Sequence, residues 1–141
     1  MKTERRQKLE WLSRGRALRL HLIGLYAERQ ERLSRADYAG ISYGGSGGGN
    51  GNATERKFDA LAETEAEIAE VERELGRVEA EIRAAIEQIH TPICQTYLRM
   101  RFLAYKSERQ IARETNYSFY YIDNVIRTKS IDAVRIVGNS G

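Results

Sequence analysis

Between Lys106 and Lys129 the chain gathers side chains suited to reading a nucleic acid. Asn124 can offer a paired donor and acceptor to an adenine edge, and Arg127 a two-pronged donor to a guanine edge. Ser107, Ser118 and Tyr120 can meet phosphate oxygens through hydroxyls, and Lys106, Arg113 and Lys129 through charge. Phe119 and Asp123 belong to the same outward set. This is binding chemistry. The bond-making alternatives have little material: the chain has two histidines, His21 and His90, on different segments, and one cysteine, Cys94, with no spacing that suits a metal. The glycine tract at 44–51 lacks the lysine of a phosphate loop, and the many acidic residues fall on a heptad repeat without an apolar pocket to shift a pKa. No cofactor, no metal and no enzymatic activity are expected.

Two short helices joined by a tight turn would hold those side chains. Ser107 can cap the first, with Gln110 reaching back to the Ser107 backbone, and Ile111 and Ala112 form its buried side. Asn116 tolerates the left-handed conformation in which such helices end, and Ser118 can cap the second. Its inward positions are Ile122, Val125 and then Ile126; its outward ones are Phe119, Tyr120, Asp123, Asn124 and Arg127. Tyr117 is expected to plug the turn, with Tyr121 partly buried and Tyr120 outward. Thr91-Pro92 ends a preceding helix and starts another, since Thr can cap and Pro suits a first helical position. Ile93, Tyr97, Leu98, Met100, Phe102 and Leu103 give that helix an apolar side, completing a three-helix helix-turn-helix domain over 91–137. Residues 138–141 read as a disordered tail.

The first ninety residues read as an arm. From about Thr3 to Asp37 a helical pattern places Trp11, Leu18, Leu22, Leu25 and Leu33 on one broad face, beside Leu12, Ile23 and Tyr26. A glycine-rich segment at 40–53 reads as a flexible tip. A second helix then runs to about His90, with Leu61, Ile68, Leu75, Ile82 and Ile89 seven apart and Val71, Val78 and Ala85 between them. Thr64 is the polar exception. Glutamates flank that seam on both sides, which disfavours a parallel pairing of this helix with itself. The arginine-rich first helix has the opposite charge, so an antiparallel helical hairpin over 1–90, a coiled-coil arm, is expected. Apolar surface left over, Trp11 and Ile86 included, leaves room for a homodimer or higher oligomer through the hairpin, or for contact with the C-terminal domain. The fold class is all-α.

Net charge is +3, but it is unevenly spread. Residues 1–39 and those after 91 are basic, and residues 55–90 are strongly acidic, so phosphate would meet the ends and avoid the middle. The arginines of the first helix are expected to pair with the acids of the second. No apolar run approaches the roughly 20 residues of a membrane span, and the N-terminus lacks a signal peptide's apolar core. A cytoplasmic protein with no membrane partner is expected.

Leu98, Arg101, Phe102 and Leu103, then Lys106-Ser107, Ile111-Ala112, Asn116-Tyr117-Ser118 and Ile122, resemble region 4 of bacterial sigma factors, which reads the −35 promoter element. The match is closer to small phage-encoded proteins, the ArpU-like late transcriptional regulators, which place such a module after a helical hairpin. It covers residues 95–126 by motif and 1–90 by architecture. The resemblance implies sequence-specific double-stranded DNA binding, a role as a phage or prophage transcriptional regulator, and RNA polymerase as a further partner. Two other readings stand beside it: a DNA-packaging protein similar to small terminases, and a coiled-coil adaptor that does not read DNA.

Overall fold

The computed structural model describes residues 3–41 and 51–136. Across them the chain is all-helical, with no strand. Seven α-helices are described: α1 (Glu4–Leu12), α2 (Arg14–Ile41), α3 (Gly51–Glu87), α4 (Pro92–Leu98), α5 (Glu108–Thr115), α6 (Phe119–Tyr121) and α7 (Arg127–Ala133). Wider π-type turns prolong α4 over Arg99–Leu103 and join α6 to α7 over Ile122–Ile126. Most of the expected glycine tip at 40–53 and the whole expected tail at 138–141 lie outside the described residues. No helix among the described residues is long and apolar enough to cross a membrane.

The described residues pack as two compact units, those within Leu18–Glu74 in one and those up to Ala17 together with those from Leu75 onward in the other. In the Leu18–Glu74 unit, α2 buries Leu22, Leu25 and Ala36, and α3 buries Thr64, Ile68 and Val71. Tyr26 donates its hydroxyl to Glu72 Oε2 at 2.6 Å, and His21 Nε2 lies 3.3 Å from Glu67 Oε2. The heptad positions of α3 are the buried ones because one neighbouring helix covers only a narrow stripe. For the same reason the broad apolar face expected on α2 is not all covered, and Ile23, Tyr26 and Leu33 are exposed. Thr64 is tolerated in the seam because its hydroxyl donates to the Ala60 carbonyl at 3.1 Å. Two arginines of α2 find partners within the same helix, Arg32 with Glu28 and Arg35 with Glu31.

The other unit holds a denser core. Leu12, Ile82, Ile86, Tyr97, Leu98, Ile111, Ile122, Ile126, Ile131 and Val134 are essentially removed from solvent. The single helix expected from Thr3 to Asp37 is interrupted at Ser13. Its hydroxyl donates to the Leu9 carbonyl at 2.7 Å and Arg14 Nε to the Trp11 carbonyl at 2.9 Å. Side chains thus satisfy the carbonyls at the end of α1. Arg14 also reaches Glu81 at 3.0 Å, a cross-helix pair of the expected kind.

Thr91-Pro92 divides α3 from α4 as expected, with Thr91 extended at φ −81° and ψ 111°. Thr91 makes no side-chain cap, however. Its backbone carbonyl accepts from Gln95 N, and the Gln95 amide turns back to the Ile89 carbonyl at 3.2 Å. At the far end, Arg5 grips Asp132 through two bonds of 2.8 Å, and Lys8 donates to the Asp132 carbonyl at 2.8 Å. That cation sits where the carbonyls of α7 run out of helical partners. Arg5 holds the Asp132 carboxyl below its ordinary pKa.

Gly15 is buried in this unit, and a Cβ placed on it would lie 2.7 Å from the Tyr105 hydroxyl. Tyr105 itself is left-handed, at φ 59°, and donates to Glu79. The glycine therefore makes a close approach possible, a role its helical setting does not reveal.

Candidate nucleic-acid interface

Local chemistry shapes the segment 106–129 much as its caps suggest. Ser107 is extended and its Oγ accepts from Gln110 N at 3.1 Å, starting α5. Ile111 and Ala112 are buried, and α5 ends on Asn116 at φ 64° and ψ 23°. Ser118 Oγ accepts from Tyr121 N at 3.0 Å and starts the next run, which continues without a break over 119–133.

That run is not uniformly α-helical. The Arg127 N–H bonds to the Ile122 carbonyl, five residues back, so the backbone makes one wide turn. Ile122 and Ile126, four apart, both face the core, and Ser130 and Ile131 follow them inward. Val125, expected inward, is instead 40% exposed. Residues four apart share a helix face more closely than residues three apart, so Ile126 rather than Val125 follows Ile122 inward.

The outward positions bring together Phe119, Tyr120, Asn124 and Val125, with Asp123 half-buried at the edge. Tyr120 is the most open, at 72%, and Tyr121 is partly covered at 40%. Tyr117 does not plug the turn: it is exposed and stacks on Tyr121 with ring centroids 5.3 Å apart. The Arg109 guanidinium lies over the Phe119 ring at 4.3 Å, within cation–π range. The result is an aromatic surface with a cation set into it.

Several groups assigned to DNA are engaged within the protein. Lys106 Nζ pairs with Glu114 at 2.6 Å, and Asn124 Nδ2 donates to the Tyr120 carbonyl at 3.0 Å. Arg127 Nε lies 4.0 Å from Glu108, and Arg101 Nε lies 3.2 Å from the same oxygen. Tyr97 donates its hydroxyl to that oxygen at 2.6 Å. Burial, then the bond to Glu108, pushes the Tyr97 phenol well above its ordinary pKa. Glu108 was legible only as an acidic residue in a first helical turn, where it favours α5. Its role as the centre joining α4, α5 and α7 depends on the fold, and no sequence spacing announces it.

Arg113 and Lys129 are exposed and make no ion pair among the described residues, as are the hydroxyl-bearing caps Ser107 and Ser118. No cluster of three metal-ligating side chains occurs among the described residues. The exposed aromatic and aliphatic side chains Phe119, Tyr120 and Val125, with Arg109 over Phe119, thus offer a binding face. Comparison with protein-family models, with curated proteins and with solved structures finds no match.

Proposed function

We propose that this chain is a sequence-specific double-stranded DNA-binding protein acting as a phage or prophage transcriptional regulator in the cytoplasm. In this reading residues 91–137 are a helix-turn-helix domain and residues 1–90 an antiparallel hairpin arm, through which two copies would join. The observation that carries it is the left-handed turn at Asn116 between two serine-capped helices, which leaves the face starting at Phe119 open to solvent. A helix so presented has the diameter to enter a major groove, with Arg113 and Lys129 beside it for phosphate. RNA polymerase as a second partner rests on the sequence resemblance alone.

The test is selection of bound sequences from a random duplex pool at about physiological salt, followed by a salt titration. An enriched motif is expected. Tyr120→Ala should then weaken the motif more than random DNA, and Arg113→Ala should weaken both alike while flattening the salt slope. No enrichment, with a closed ring of many subunits, would move the reading to DNA packaging. The adaptor reading also has an observation behind it. Glu108 and Glu114 engage Arg101, Arg127 and Lys106, which lowers the positive charge available to phosphate.

A further inference from the structure

The double-stranded DNA reading leaves open how a base would be chosen, and the inference that follows rests on that reading. Two polar side chains of residues 119–127 are suited to a bidentate hydrogen bond with a base, and each already has a partner within the protein. Asn124 Nδ2 is bonded to the Tyr120 carbonyl, and Arg127 faces Glu108. Beside the exposed Asn124 the face opens apolar surface to solvent: Phe119 is 38% exposed, Tyr120 72% and Val125 40%. Among the groups that base pairs display in the major groove, the apolar one is the C5 methyl of thymine.

We infer that Phe119, Tyr120 and Val125 select DNA by contact with thymine methyl groups. The occupant is duplex DNA rather than an apolar protein face because charge surrounds the patch. Arg109 lies over Phe119, and Arg113 and Lys129, four residues on from Arg109 and Val125, are exposed and make no ion pair among the described residues. A purely apolar partner would have to bury those cations without compensation, whereas a groove edge supplies a phosphate for each. The wide turn at Ile122–Ile126 is part of the device. Within it Val125 is exposed while Ile126 takes the core position.

The experiment uses the full chain and the duplex it enriches from a random pool, made once with thymine and once with uracil at every thymine position of the site. Uracil pairs identically and lacks only the methyl group. Each contacted methyl should be worth about fourfold in affinity, the factor expected for burying one such group. Tyr120→Ala and Val125→Ala should each lower the thymine-to-uracil ratio. Both residues are open to solvent, so these variants should keep the wild-type melting temperature. Equal binding of the two duplexes overturns methyl reading and leaves DNA binding intact. Failure to enrich any duplex overturns both.

Discussion

The Leu18–Glu74 unit and the cluster over residues 91–134 both bury isoleucine and leucine, but they bury them differently. In the first, a single stripe of Leu22, Leu25, Ile68 and Val71 does the work, while Leu20, Ile23 and Phe58 remain half open or more. In the second, Tyr97, Leu98, Ile111, Ile122, Ile126 and Ile131 are shut off almost completely. A stripe between two helices can close over a missing methyl group by a small shift. A cluster enclosed by several short helices cannot, because each is held by its own caps and ion pairs. The cost of a cavity depends on such collapse. Ile122→Ala should therefore cost about 4 kcal/mol and Ile68→Ala about 2 kcal/mol, both read by urea unfolding with a local probe in each unit. Equal costs would break the comparison.

Polar anchoring differs in the same direction. The Leu18–Glu74 unit joins its helices with exposed groups such as His21 and Glu67, whereas the cluster buries the Tyr97 hydroxyl against Glu108. Tyr97→Phe should cost about 2 kcal/mol near neutral pH, the usual range for losing a hydrogen bond to a charged group. The sign of its pH dependence follows from the raised Tyr97 pKa. Above its unfolded value of 10.0 the phenol ionises in the unfolded chain while the folded chain keeps the proton, so wild-type stability falls as pH rises. The gap between wild type and Tyr97→Phe should narrow from pH 10 upward in thermal melts. A constant gap would remove the buried phenol from the account.

These contrasts also explain what could be read without coordinates. The heptad positions of α3 were legible because Ile68, Val71, Val78, Ile82 and Ala85 repeat one pattern along a regular helix. Ser107, Asn116 and Ser118 were legible because capping and left-handed turns are settled within a few residues. Val125 and Ile126 were not separable, since positions three and four residues on from Ile122 both lie near its helix face. The partners of Lys106 and Arg127 were hidden for another reason. Glu114 and Glu108 are brought to them by the packing of α5, and Glu108 lies 19 residues from Arg127 in the chain.

The approach of Tyr105 to Gly15 sharpens the contrast with regular helix packing. In an exposed helix Gly→Ala gains about 1 kcal/mol from propensity, and Gly24, with nothing near its Cβ position, should show that gain. Gly15→Ala should instead lose about 1 to 2 kcal/mol, because the new methyl meets the Tyr105 hydroxyl and overpacking outweighs propensity. Tyr105→Phe removes the hydroxyl together with its bond to Glu79. The double variant Gly15→Ala with Tyr105→Phe should therefore be more stable than the two single losses summed. Simple additivity in a double-mutant cycle would show that the contact is not what limits residue 15.

The smallest expected effect lies inside the dense cluster and runs the other way. Ser130 is fully buried on α7, and its Oγ has no hydrogen-bond partner among the described residues. In the open stripe the comparable polar residue, Thr64, donates to a carbonyl one turn back. Burying a hydroxyl without a partner costs free energy that alanine does not incur, and the cavity left by one oxygen is small. Ser130→Ala should raise stability by about 0.5 to 1 kcal/mol, whereas Thr64→Ala, which loses a methyl group as well, should lower it. A Ser130→Ala variant that melts below wild type would mean that the hydroxyl is bonded in solution, and the enclosed core of α7 would then be wetter than its packing implies.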